Sequence, residues 1–278
     1  MPCMQSFSSC LFVITVSFQV LEFYAKTRCA QALRLSTLII LYPQKGELNI
    51  ALFVTSDLHL SQAVDKPMDV FGGNWENYTQ KIIDGFHKLV KPGDTTVIAG
   101  DISWGMNLKE AMEDFKLIDS FPGEKIILKG NHDYWWETVK KTNDAFEEHG
   151  ITSIKILNNN AFLYEDIAIC GTRGWFVENR EDEKIYKREL GRLETSLKEG
   201  QKLNHEHLYC FIHYPPVTKK NVQHEVLELF DKYKVSRCYY GHIHSSGQSQ
   251  AVQGVQKNVD FRLVSCDFND FEPILIKN

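Results

Sequence analysis

The 278-residue chain has no CxxC pair, no long basic run, no internal repeat and no low-complexity tract. Each absence removes a class of protein. Its seven cysteines are Cys3, Cys10, Cys29, Cys170, Cys210, Cys238 and Cys266. An odd number without close pairs points to neither a disulfide framework nor a structural zinc finger. Cys170 and Cys210 sit inside apolar runs, where free thiols behave as small hydrophobes. A reducing, cytoplasmic compartment is therefore expected. A formal net charge of −5 without a basic tract argues against a stable nucleic-acid partner, although a local basic cleft leaves no trace in a total.

Long apolar runs are also missing. "CLFVITVSFQVLEFYAK" is interrupted by Gln19 and Glu22, and "LSTLIILYP" closes on Pro43. Neither reaches the ~20 apolar residues of a membrane span. Residues 1–9 contain no Lys or Arg, so the basic start of a signal peptide is absent, and "CAQA" (Cys29–Ala32) is a weak cleavage site. Residues 1–48 are read as a poorly ordered leader, or as upstream sequence carried by a wrong start. Secretion or membrane anchoring is the weaker alternative.

What is present fits one folded domain over residues 49–278. A hydrophobic share of 43% and a charged share of 24% suffice for a full core. Apolar runs suited to buried strands span Ile50–Asp57, Thr95–Asp101, Lys125–Asn131, Ile167–Thr172, Leu208–Tyr214, Arg237–His244 and Phe261–Asp267. Helix-period segments alternate with them. One carries Trp75, Tyr78, Ile82, Phe86 and Leu89 and stops at Lys91–Asp94. A second begins at an Asn107/Glu110 capping box, and a third starts near Tyr134 and ends on Gly150. Leu190, Leu193 and Leu197 mark a fourth, and Val226, Leu227, Phe230 and Tyr233 a fifth. The pattern is α/β.

Polar residues collect where the strands end. The runs close on Asp57-Leu58-His59, Gly100-Asp101, Gly130-Asn131-His132-Asp133, His213 and Gly241-His242-Ile243-His244. Ligands of α/β sheets bind beyond the carboxyl ends of the strands, so five such ends predict one cleft. Carboxylate, amide oxygen and imidazole suit Mn, Fe, Zn, Ni or Co rather than thiolate-loving ions. Asp57/His59 and His242/His244 are i, i+2 pairs, which on extended backbone point to one side. Gly100, Gly130 and Gly241 would let neighbours approach closely. Any one of these motifs alone is weak; in order and together they are specific.

That ordered set, "DLH", "GD", "GNHD", the His of "IHYPP" and "GHIH", resembles the calcineurin-like metallophosphoesterases over about residues 49–278. The resemblance implies a four-layer α/β/β/α fold, two central mixed sheets flanked by helices. It implies two divalent metal ions per chain, one held by Asp57, His59, Asp101 and His244. The other is held by Asp101, Asn131, His213 and His242, with Asp101 bridging. His132 is implied as the proton donor. Two divalent ions held by only two carboxylates keep a positive local charge, which attracts a phosphate ester. Such a pair clamps attacking and leaving oxygens and lowers the pKa of bound water, so the expected nucleophile is a metal-bound hydroxide. His132 then protonates the leaving group. The small bacterial-type phosphoesterases are the closer branch. The protein Ser/Thr phosphatase branch carries GDxVDRG, where this chain has "GDISWG" with Trp104 in place of Asp.

Three roles stay open at this level. Asp133 either orients His132, caps a helix starting near Tyr134 or holds a group outside the metal shell. Arg173, between Gly171 and Gly174, is either a phosphate contact or a surface arginine in a tight turn. Gly72-Gly73 lies in a segment expected to form a lid or rim. The expected partner is a small phosphate mono- or diester, with no membrane. The alternatives are a nuclease and a non-catalytic binding scaffold on the same fold.

Overall fold

The computed structural model describes residues 50–177 and 180–278. The leader, residues 1–48, lies outside them. Sixteen elements follow in chain order. These are β1 (Leu52–Thr55), α1 (Tyr78–Leu89), β2 (Thr95–Ile98), α2 (Leu108–Ser120), β3 (Glu124–Ile127), α3 (Val139–Glu148), β4 (Ile154–Ile156) and β5 (Phe162–Tyr164). Then come β6 (Ile167–Thr172), α4 (Asp182–Gln201), β7 (His207–Ile212), α5 (His224–Tyr233), β8 (Val235–Tyr240), β9 (Gly254–Gln256), β10 (Val259–Leu263) and β11 (Ile274–Lys277).

The strands form two mixed sheets with orders β11-β1-β2-β3-β4 and β5-β6-β7-β8-β10-β9. Central pairs are parallel: β1/β2 and β2/β3 in the first sheet, β6/β7 and β7/β8 in the second. Antiparallel strands close the edges at β11, β5 and β9. Side chains alternate across each strand, and that alternation builds the layers. Leu52, Val54, Val97 and Ile126 of the first sheet meet Ile167, Ile169, Phe211 and Tyr239 of the second in one apolar layer. On the outer face of the first sheet, Phe53, Ile98 and Ile127 pack under Ile82, Phe86, Phe115 and Phe146 of α1, α2 and α3. On the outer face of the second, Cys170, Cys210 and Cys238 pack under Leu193, Leu197, Val226 and Phe230 of α4 and α5. The fold is thus the four-layer α/β/β/α arrangement. Cys170 and Cys210 are free and buried, as their apolar context predicts.

One helix and four edge strands differ from the sequence reading. The third helix starts at Val139, not near Tyr134, and its cap is Thr138, whose Oγ1 accepts the Lys141 N–H at 3.3 Å. Trp135 is pulled out of helical register because it is buried against Phe115, with ring centroids 4.7 Å apart. The edge strands β4, β5, β9 and β11, three or four residues each, are too short for a periodic signal. Asn107 does cap α2, accepting the Glu110 N–H at 3.1 Å; Glu110 reaches back to the Met106 N–H at 2.8 Å. No helix among the described residues is long and apolar enough to cross a membrane.

Phe115 joins α2 to Trp135 and, at 4.9 Å, to Phe146 of α3. Phe115→Ala should lower the unfolding free energy by about 3–5 kcal/mol. Denaturant titration would measure this, and a loss under ~1 kcal/mol would show that the cluster collapses around the gap.

Candidate metal centre

Both sheets send their parallel strands the same way, so the carboxyl ends of β1, β2, β3, β7 and β8 meet along one edge. The first sheet delivers Asp57, His59, Asp101 and Asn131, and the second delivers His213, His242 and His244. His59 Nε2 lies 3.7 Å from Asp101 Oδ2, and His213 Nε2 lies 3.4 Å from the same oxygen. His244 Nε2 lies 3.3 Å from Asp57 Oδ1. Asn131 Oδ1 is met by His213 Nε2 at 2.7 Å and His242 Nδ1 at 2.8 Å. All seven sequence-predicted donors are brought together. Within this cluster two groups of donor atoms lie close enough to share an ion: Asp57, His59 and His244, and Asp57, Asp101 and His213. Asp57 is common to both groups, while Asp101 stands between His59 and His213.

The pairs do not converge by strand alternation. Asp57, His59, Asp101 and His242 all adopt positive φ, at 62°, 46°, 50° and 71°. Left-handed backbone at non-glycine residues is costly and collects at functional sites. The chain therefore turns at each donor instead of running on, and the extended-segment argument fails for Asp57 and His59. Cross-strand hydrogen bonds hold these turns: Asp57 N–H to Gly100 O at 2.9 Å and His59 N–H to Asp101 O at 3.0 Å. Close approach does need the glycines. A Cβ on Gly130 would collide with the backbone nitrogen and carboxylate of Asp101, and one on Gly241 with the side chains of Ser56 and Asp57.

Of the three roles left open for Asp133, the structure favours holding groups outside the metal shell. It caps no helix. Its buried carboxylate accepts the backbone N–H groups of Gly130 at 2.6 Å, Asp101 at 3.0 Å and Ile102 at 2.8 Å, and the Trp135 indole N–H at 2.9 Å. It thereby ties the loop after β2 to the loop after β3. Burial, and then the nearby Asp101, push its carboxyl up to about 6. Asp267 was missed altogether. It accepts from His244 Nδ1 at 2.8 Å and from the Ser245 N–H at 3.2 Å. Only its position at the end of the Phe261–Asp267 run signalled it.

The donors fit divalent cations. Asp57 and Asp101 are 0% and 2% exposed, and buried carboxylates need paired positive charge. Burial alone would raise both; His244 overrides it for Asp57 and His213 for Asp101, and each is held well below the usual carboxylate range. The same pairing works in reverse on the imidazoles. Against burial, Asp101 pushes His213 up to about 9 and Asp57 pushes His244 up to about 10. Burial dominates elsewhere, pulling His59 down to about 4 and His242 to about 3. Ring hydrogen bonds set the orientation. His213 gives Nδ1 to Ala99 O at 3.1 Å and His244 gives Nδ1 to Asp267, so each turns Nε2 towards the carboxylates. His244 Nε2 is buried and meets only the Asp57 carboxylate, at 3.3 Å, where an ion could replace its proton.

Around the donors stand aromatic rings. Trp104 stacks on His59 at 5.0 Å and packs on His132 at 4.5 Å, and Trp75 lies 5.7 Å from His244. The Gly72-Gly73 segment is the rim that delivers Trp75. The His132 N–H donates to Asp101 Oδ1 at 2.8 Å, which puts its ring beside the cluster, 5.7 Å from that of His59. Arg173 pairs with Glu189 at 2.9 Å and lies over Trp175 at 4.5 Å, so it is no free surface arginine.

Two predictions follow from the charges. At pH 7 the metal-free protein carries protons on His213 and His244, whereas His59 and His242 are already neutral. Ions bind neutral imidazole, so metal uptake should release about two protons and tighten as pH rises towards about 10. Calorimetry in buffers of different ionisation heat would count them, and zero release would exclude the pair as ligands. Asp267→Ala frees the His244 ring and should weaken metal binding ~10–100-fold in competition with a chelator. Unchanged affinity would reduce Asp267 to a loop anchor.

Known proteins resemble the chain in fold and in family. No curated protein matches it. The TT1561 protein of Thermus thermophilus is 12% identical with a TM-score of 0.50, covering 82% of this chain and 98% of its own. Another solved structure is 13% identical with a TM-score of 0.51, covering 81% and 98%. A protein of unknown function from Aquifex aeolicus is 17% identical, with a TM-score of 0.43 over 82% and 96%. The family model of the calcineurin-like phosphoesterases matches residues 50–246, a span holding all seven donors and His132. The chain belongs to the calcineurin-like phosphoesterases.

Proposed function

We propose that the chain hydrolyses a small phosphate mono- or diester at a centre of two divalent cations, with His132 as proton donor. Family membership carries metal-dependent phosphoester hydrolysis in general. The finer reading is supported above all by the convergence of seven oxygen and nitrogen donors from five strand ends. Asp57, His59, Asp101 and His244 would hold one ion; Asp101, Asn131, His213 and His242 would hold the other. Mn, Fe, Zn, Ni and Co all suit the donor set.

Bound there, the ions supply charge neutralisation for phosphoryl oxygens and lower the pKa of a water towards neutrality. The remaining tasks fall to the chain. Its two carboxylates leave the centre positive, so it draws in a phosphate ester. Trp75 and Trp104 wall off the donors and exclude water, which strengthens every charge interaction inside. His132 stands at the edge of the cluster. Burial pulls its imidazole below the ordinary value, which makes it a better proton donor once a phosphate anion lies beside it. Among the described residues no acceptor meets His132 Nδ1; the ring packs against Trp104 at 4.5 Å instead. Beside His242 and His244 opens a cleft of about 540 Å³, lined by Phe176, Val177 and Ile243. Its size and apolar wall suit a small leaving group better than a polynucleotide.

The central test supplies Mn, Fe, Ni, Zn or Mg to metal-stripped protein and assays nitrophenyl phosphate, bis-nitrophenyl phosphate, cyclic nucleotides and single-stranded DNA. Metal-dependent hydrolysis of at least one small ester is expected; inertness towards all of them with every ion would sink the proposal. His132→Ala should keep both ions and lose ~100-fold or more on an alkyl ester, far less on a nitrophenyl ester. Equal losses on both would exclude proton donation.

A further inference from the structure

A second cavity lies beyond the ends of β3 and β6 and takes no part in the chemistry above. Its volume is about 390 Å³, and Lys129, Trp136, Thr138, Arg173, Glu189 and Arg192 line it. Three of these are cations; of the two carboxylates in the lining, Glu189 is buried and Glu137 lies at the rim. Glu189 Oε1 accepts from Arg173 Nη2 at 2.9 Å and from Arg192 Nη1 at 2.7 Å, while Oε2 accepts from Thr172 Oγ1 at 2.8 Å. One anion is thus shared by two guanidiniums.

Lys129 is left over. It is half-buried, and among the described residues no carboxylate makes an ion pair with it. Arg173 and Arg192 act on it as like charges, Asp133 and Glu189 as opposite ones. Both carboxylates are already engaged, Asp133 by the N–H groups of the metal-ligand loops. Arg173 Nε is also buried and without an acceptor. Glu137, at the rim, is half-exposed and turned to Lys141 at 3.2 Å. The first turn of α3 adds to the field, because Thr138 and Val139 form part of the wall, and a helix N-terminus favours anions. Three crowded cations around one buried carboxylate leave Lys129 half-desolvated without an ion-pair partner, which is unfavourable.

We propose that this cavity is an oxyanion site for a phosphoryl group, held by Lys129 and Arg192, with the Arg173 guanidinium adding positive charge from the wall. Its place gives it a use. Lys129 stands two residues before Asn131, and the carbonyls of Thr172 and Arg173 accept the N–H groups of His213 and Tyr214 at 3.3 and 2.8 Å. The site therefore borders the metal-ligand cluster and selects an ester that carries a second phosphoryl group. That selection rests on the phosphoesterase reading; anion binding in the cavity does not.

The test titrates inorganic phosphate into full-length, manganese-supplied protein by calorimetry. Two phosphates per chain are expected, one at each place. Lys129→Gln and Arg192→Gln should each weaken one of them about tenfold or more, and Lys129→Arg should restore it. Asp57→Asn should remove only the other. A single phosphate that survives both glutamine variants, or no binding at all, overturns the proposal. A second arm compares a sugar bisphosphate with nitrophenyl phosphate as substrates. A rise in KM of about tenfold for the bisphosphate alone in Lys129→Gln identifies the substrate as the source of the anion; equal KM values assign the site to free phosphate.

Discussion

Two carboxylates that water cannot reach govern this molecule. Asp57 and Asp101 stay ionised although burial opposes it, and only cations in contact with them offset that cost. Imidazolium supplies the cation in the metal-free chain, and the donor set suits divalent ions in the same place. The left-handed turns, the glycines that admit a neighbour's carboxylate, and the hydrogen bonds that aim His213 and His244 all serve these two charges. The apolar layer between the sheets sets how far apart the two halves of the donor set stand.

Asp133 does for the backbone what the cations do for the side chains. One buried carboxylate gathers N–H groups from two loops and an indole, so the strand ends of β2 and β3 are fixed to each other. A carboxylate satisfied in this way has little left to give Lys129, and the lysine's missing partner is a consequence of the same economy. Site and neighbouring cavity are thus linked through a residue that need touch neither ligand.

The legible part of the sequence was the part with period and punctuation. Ile167–Thr172 is a strand over the residues read, and the Asn107/Glu110 box starts a helix at Leu108. Donor residues were legible because each ended an apolar run. The short edge strands were not, since three or four residues cannot show a pattern. The start of α3 was misjudged because Tyr134, Trp135 and Trp136 look like a helical turn, whereas Trp135 is drawn inward by Phe115 and by Asp133. Asp267 and the partnerless state of Lys129 arise only from tertiary contact, which no local spacing encodes. The left-handed turns at Asp57, His59, Asp101 and His242 were equally hidden, for the residue types there do not announce them.

The cluster is assembled from two sheets that share no strand hydrogen bonds in their ordered ladders. Oxygen donors come from one sheet, most of the nitrogen donors from the other. An ion seated between them would act as a rivet across the sandwich, favouring only the arrangement in which both sheets are folded and in register. Metal occupancy and resistance to unfolding then become a single linked quantity, and a chain short of the metal would keep its scaffold with a smaller margin against unfolding.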